Sequence, residues 1–98
     1  MSTLTSAQRQ FLKALAHNLT PVVMIGEKGL TEAVLKEIGQ ALKAHELIKI
    51  KAASGEKETR DSWLQEICTA VDAAPVQHIG KTLVVYKPAD KPVLQLPS

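Results

Sequence analysis

Gly26-Glu27-Lys28-Gly29 is the stretch of this chain best suited to hold an anion. Two glycines three apart let a loop turn sharply and leave its backbone unobstructed. Thr31, two residues on, is a good N-cap, so a helix is expected to begin there. Its first turn would offer unpaired N–H groups and a partial positive charge. Lys28 adds a mobile ammonium, and a phosphate can approach such a turn without meeting a Cβ. The spacing also occurs in ordinary strand-to-helix turns, so alone it is a weak motif.

The same physical logic operates in the GXXG loops that clamp nucleic-acid backbone in KH domains. The spacing of a nucleoside-triphosphate loop is absent. A dinucleotide fingerprint would need a third glycine and a doubly wound domain larger than 98 residues. Cys68 is the one cysteine, which excludes an intrachain disulfide and a tetrahedral cysteine zinc site. His17, His45 and His78 do not fall at ligand spacing. Cys68 lies on the apolar face of an expected helix, where cysteine packs as a small hydrophobe. No catalytic residue, metal, cofactor or small-molecule substrate is therefore expected, and the chain reads as a non-enzyme.

The elements that must position the loop follow from periodicity. Thr5-Ser6-Ala7-Gln8 is a capping-box pattern. After it, Phe11, Leu12, Leu15, Ala16 and Leu19 form one helical face, giving a helix over residues 6–18 that Pro21 cannot continue. Val22 to Ile25 is a continuous apolar run, expected as a strand buried on both faces. Val34, Leu35, Ile38, Ala41 and Leu42 mark a second helix, and His45 finishes it. Leu47 to Ala52 alternates Ile48 and Ile50 with Lys49 and Lys51, a strand whose lysine face is read as wet.

A polar loop, Ser54 to Lys57, leads to a third helix marked by Trp63, Leu64, Ile67, Cys68, Ala70 and Val71, which Pro75 is expected to stop. Val76 to Ile79 and Thr82 to Tyr86 form a hairpin around Gly80-Lys81. The fold class is α+β, a compact two-layer α-β-α-β-α-β-β domain with a four-stranded mixed sheet and right-handed crossovers. Residues 1–87 form this single domain. Residues 88–98 form a proline-containing tail, expected to be partly disordered unless Val93, Leu94 and Leu96 dock.

The chain is 45% hydrophobic and 22% charged, with a formal charge of +2. The charge is segregated. Residues 1–52 carry a balance of +3, residues 53–72 of −3, and residues 73–98 of +2. A basic body with one acidic segment can present a basic face to a polyanion. Arg9 and Lys13 lie one turn apart on the first helix, Lys36 and Lys43 share the exposed stripe of the second, and Lys81 stands at the hairpin tip. Phe11 and Trp63 read as core, which leaves Tyr86 as the one aromatic open to base stacking. No apolar run reaches the ~20 residues of a membrane span, and the N-terminus lacks a signal-peptide layout. A cytoplasmic location is expected.

The segments Gln8 to His17, Pro21 to Gly26, Gly29 to Glu32, His45 to Lys49 and Val76 to Tyr86 together resemble the bacterial YhbY-like, CRM-domain family. The match runs in order over about residues 8 to 87. The resemblance implies a fold like the C-terminal domain of translation initiation factor three. It also implies RNA binding, with ribosomal RNA or precursors of the large ribosomal subunit as partner. The implied contact loop is Gly26, Glu27, Lys28 and Gly29, continued by Leu30 and Thr31. Glu27 departs from the family, which favours a basic residue there. Lys87 stands where the family usually has arginine, keeping charge without the bidentate fork. With Arg9, Lys13, Lys36, Lys43 and Lys81, these residues make the expected RNA surface of a monomer without membrane contact. The alternative is a protein–protein adaptor acting through the apolar tail from Val93 to Leu96.

Overall fold

The computed structural model describes residues 4–53 and 55–97. Ser54, expected in the polar loop, and residues 1–3 and 98 lie outside the described residues. The elements are α1 (Ser6–Ala16), β1 (Pro21–Ile25), α2 (Glu32–His45), β2 (Leu47–Ala52), α3 (Lys57–Val71), β3 (Ala74–Ile79) and β4 (Thr82–Tyr86). The sheet order is β1-β2-β4-β3. β1 and β2 are parallel, while β4 is antiparallel to both of its neighbours. The order and the mixed sheet are those expected from the sequence.

α1 and α2 each begin at a threonine whose side chain caps the helix. Thr5 accepts from the Gln8 amide at 3.1 Å while the Gln8 side chain accepts from the Thr5 amide at 3.0 Å, completing the capping box. α3 ends at Asp72, which takes the left-handed conformation at φ 56. Helix arrest therefore falls there and not at Pro75, which sits inside β3. A proline is tolerated because β3 is an edge strand, and the register shifts between Pro75 and Gln77.

α2 and α3 pack on one face of the sheet, over Val23, Ile25, Ile48, Ile50, Leu83 and Val85. The opposite face is partly covered. There α1 lies over Leu47, Ala74, Val76, Val84 and Tyr86, and Leu94 and Leu96 of the tail pack beside it. β1 departs from expectation. Val23 and Ile25 are buried, but Val22 is 45% and Met24 58% exposed. The reason is placement: β1 is the other edge strand, and α1 packs chiefly on β2, β3 and β4.

The tail is docked. Its anchor is Glu46, which follows α2 at φ 63 and is 4% exposed. The Glu46 carboxylate accepts from the amides of Ala89 (3.0 Å), Val93 (2.8 Å) and Leu94 (3.1 Å). The Gln8 side-chain amide donates to the Pro97 carbonyl at 3.1 Å. Leu94 and Leu96 dock, whereas Val93 stays 82% exposed.

Burial by itself pushes the Glu46 carboxyl up, but the three amides outweigh it and hold it below the ordinary carboxylate value. A carboxylate depressed on folding stabilises the fold above its unfolded pKa and loses that contribution as pH falls through the folded pKa. Acidification below about pH 4 should release the tail first. Amide exchange at Val93 and Leu94 should then rise while β2–β4 amides stay protected. Glu46→Gln should do the same at neutral pH, at a cost of about 1–3 kcal/mol in stability. Equal protection at both pH values would contradict the anchor.

Candidate nucleic-acid interface

Three turns meet at one edge of the sheet. β1 and β2 end side by side, with Ile25 paired to Ala52, and β4 starts opposite Lys51. The turn after β1 is the Gly26–Gly29 loop, and the turn before β4 is Gly80-Lys81. Backbone bonds couple them: Ala53 donates to the Ile25 carbonyl at 2.8 Å, and Ala52 to the Lys81 carbonyl at 2.7 Å. Two inter-strand steps put Lys81 about 10 Å from the glycine loop.

The loop is closed by the Gly29 amide, which donates to the Gly26 carbonyl at 3.0 Å. Its two glycines have different causes. Gly29 has φ 76, and a Cβ there would stand 3.2 Å from Cζ2 of Trp63. Both the backbone angle and the indole beneath it demand glycine. Gly26 has no positive φ, and a Cβ there would meet nothing within 4 Å. The fold makes no steric demand for glycine at Gly26. Glu27 and Lys28 are exposed. Leu30 packs on the α2–α3 core, and Thr31 caps α2 by accepting from the Val34 amide at 3.2 Å. These two residues hold the loop in place.

The basic residues separate into groups. Lys36 and Lys43 lie with Lys87 along a groove of about 520 Å³ between α2 and the end of α3, where Glu32 and Asp72 also face it. Lys87 is partly committed, because its Nζ donates to the Val71 carbonyl at 2.8 Å and so caps α3. Arg9 and Lys13 are half-buried on α1, on the far face of the sheet. The structure therefore gathers the loop and Lys81 at one edge and Lys36, Lys43 and Lys87 in one groove, and it sets Arg9 and Lys13 apart.

Two features escaped the sequence reading. Trp63 is half-buried, and its ring lies beneath two loops at once, since a Cβ on Gly55 would stand 3.0 Å from its Cη2. Glycine spacing carries no signal of what lies under a turn. The second feature is a polar cluster. Arg60 Nη1 donates to the Gly55 carbonyl at 2.6 Å, and Arg60 Nε donates to His78 Nε2 at 3.3 Å. His78 Nδ1 pairs with the Asp61 carboxylate, and its Nε2 also lies 3.1 Å from the Gly80 carbonyl. This ties α3 to the hairpin that carries Lys81.

All three aromatics are buried or half-buried. Tyr86 is 2% exposed, so it is no stacking platform. Burial pushes the Cys68 thiol up to about 11, in keeping with a packed side chain and not a nucleophile. Among the described residues no cluster of His, Cys, Asp or Glu could hold a metal ion. Among the described residues no helix is long and apolar enough to cross a membrane.

Residues 4–87 match the CRS1/YhbY (CRM) domain. An RNA-binding protein of Haemophilus influenzae is 52% identical over 97 residues, which cover 99% of this chain and 98% of that protein. A "Probable RNA-binding protein" of Pseudomonas aeruginosa is 44% identical over 89 residues, covering 91% and 86%. The solution structure of a Staphylococcus aureus protein superposes with a TM-score of 0.85 at 30% identity, over 96% of this chain and 99% of that one.

The two glycines should respond differently to alanine. Gly29→Ala should lower the thermal midpoint by roughly 4–10 °C, from left-handed strain and the contact with Trp63. Gly26→Ala should leave it within about 2 °C. Thermal unfolding followed by circular dichroism checks this, and equal losses would refute the distinction.

Proposed function

The chain belongs to the CRS1/YhbY (CRM) domain family, a family of binding domains and not of enzymes, and we propose that it binds ribosomal RNA or a precursor of the large ribosomal subunit. It does so in the cytoplasm as a monomer, with no cofactor. The relatives named as RNA-binding proteins and the open loop at the sheet edge support this reading. The observation that carries it is Gly26: the fold makes no steric demand for glycine there, whereas a phosphate pressed against the backbone would.

In this reading a phosphate sits on the backbone of Gly26 to Gly29 and on the first turn of α2, whose dipole favours an anion. Lys28 adds charge from the loop, and Lys81 adds it from the neighbouring turn. Lys36 and Lys43 are seven residues apart on one helix, or about 10 Å, and extend the cationic track. Lys87 contributes charge while holding α3. Arg9 and Lys13 serve an RNA long enough to pass round to the α1 face. Glu27 opposes binding by placing a carboxylate beside the phosphate path. Leu30 and Thr31 fix the geometry from below. Such contacts position RNA without reading its sequence.

Affinity should fall with salt. If about four phosphates are neutralised, log affinity should change with log salt at a slope of roughly −3. Lys28→Ala and Gly26→Ala should each weaken binding of several unrelated RNAs by similar factors. Glu27→Lys should tighten it. Fluorescence anisotropy with labelled RNA measures all three. A salt-independent affinity would sink the reading, and an unchanged affinity for Glu27→Lys would place the loop away from RNA.

A further inference from the structure

The three helices leave one part of the sheet bare. The strand register sets Met24, Lys51, Thr82 and Ile79 in one row across all four strands. Lys49 stands in the next row, beside Val84. Lys49 and Lys51 alternate with Ile48, Ile50 and Ala52, whose side chains are buried. The lysines therefore point to the face opposite α2 and α3. On that face α1 covers the other end of the sheet, over Leu47, Val84 and Tyr86. Met24 and Ile79 are each 58% exposed, Lys51 is exposed and Lys49 half-buried. None of the four strands contains Asp or Glu.

This row runs into the loop edge at two places. Met24 is two residues before Gly26, and Thr82 follows Lys81 directly. We propose that the bare sheet face is a second RNA-binding surface, continuous with the glycine loop, with Lys49 and Lys51 on phosphates and Met24 and Ile79 against bases or riboses. The proposal rests on the RNA-binding reading above. The occupant follows from charge and continuity. The two lysines stand about 7 Å apart along one strand with no carboxylate on the strands to offset them, a surface suited to a polyanion. Apolar side chains flank that charge at both edges of the sheet, and a nucleotide chain supplies apolar faces as well as phosphates. Met24 adds a soft, adaptable contact surface where an aromatic platform is missing. An RNA held at the loop would then have two ways to continue, over α2 or over the sheet, and the strands of the sheet carry no carboxylate.

The test uses the whole chain and a fluorescein-labelled RNA stem-loop with single-stranded flanks, titrated by anisotropy at several potassium chloride concentrations. Lys49→Gln with Lys51→Gln should weaken binding about tenfold, and should flatten the salt slope by about 1.4, one phosphate per lysine. Met24→Ala with Ile79→Ala should weaken binding about threefold with the slope unchanged, because no charge is lost. If the double lysine variant fails to fold, Lys51→Gln alone carries the test, since that side chain is exposed. Wild-type affinity and slope in the lysine variants, while Lys28→Ala still weakens binding, would overturn the sheet surface and leave the loop reading standing. Failure of the wild-type chain to bind the RNA would overturn both.

Discussion

A parallel strand pair cannot be closed by a tight turn, and that constraint builds the site. β1 and β2 lie side by side in the same direction, so the chain must leave the end of β1, cross back through α2 and start again. The exit turn and the turn that leaves β2 therefore come to the same edge. α3 repeats the manoeuvre, carrying the chain past β4 to β3 on the same face. The hairpin then returns β4 between β2 and β3, which brings Gly80-Lys81 to that edge too. A loop that must begin a helix is obliged to expose amides. What the sequence adds is the choice of residues there: glycine at two positions, lysine between them, and a tryptophan under one of them.

The opposite end of the molecule is governed by a buried carboxylate. Glu46 would be costly in its pocket as a lone anion, because burial penalises charge. Three tail amides satisfy it, and the tail in turn covers the apolar face of α1 with Leu94 and Leu96. Tyr86 lies against the same region, and its hydroxyl is pushed up by burial and by the Glu46 charge. The apolar tail residues Leu94 and Leu96 are thus occupied within the fold. The consequence for the sheet is spatial. α1 and the tail are both gathered at the Leu47–Tyr86 end, and the end nearest the glycine loop is left uncovered.

The sequence carried the elements because their signals are local. The Thr5–Gln8 capping box, the Thr31 cap and the spacing of the α2 apolar face each act within a few residues. The charge-free run in β1 misled for a related reason: continuous apolarity marks burial on both faces only where something covers both faces, and cover is a tertiary fact. Pro75 reads locally as a helix stop, but Asp72 ended α3 first and an edge strand accepted the proline. The loop itself was legible as a motif. Its support was not, since Trp63 is more than thirty residues from Gly29 in the chain and Arg60, Asp61 and His78 come together only through packing. Lys87 shows the same limit in reverse, because its charge was visible but its bond to the Val71 carbonyl was not.

A formal charge of +2 understates the field such a surface presents. Two of the carboxylates counted against it are answered inside the molecule. Glu46 is buried among three amide donors, and Asp61 pairs with His78. The acidic segment of residues 53–72 is spent on α3 and its approach, where Glu58 and Glu66 face water. The strands and the hairpin tip keep their lysines with no acid among them. Charge near a surface acts over a Debye length of about 8 Å at physiological salt, so a polyanion at the loop edge would respond to Lys28, Lys81, the strand lysines and the opposing Glu27 more than to distant glutamates. Net charge is a sum over the whole molecule, while binding is decided by which charges the fold places within reach of one another.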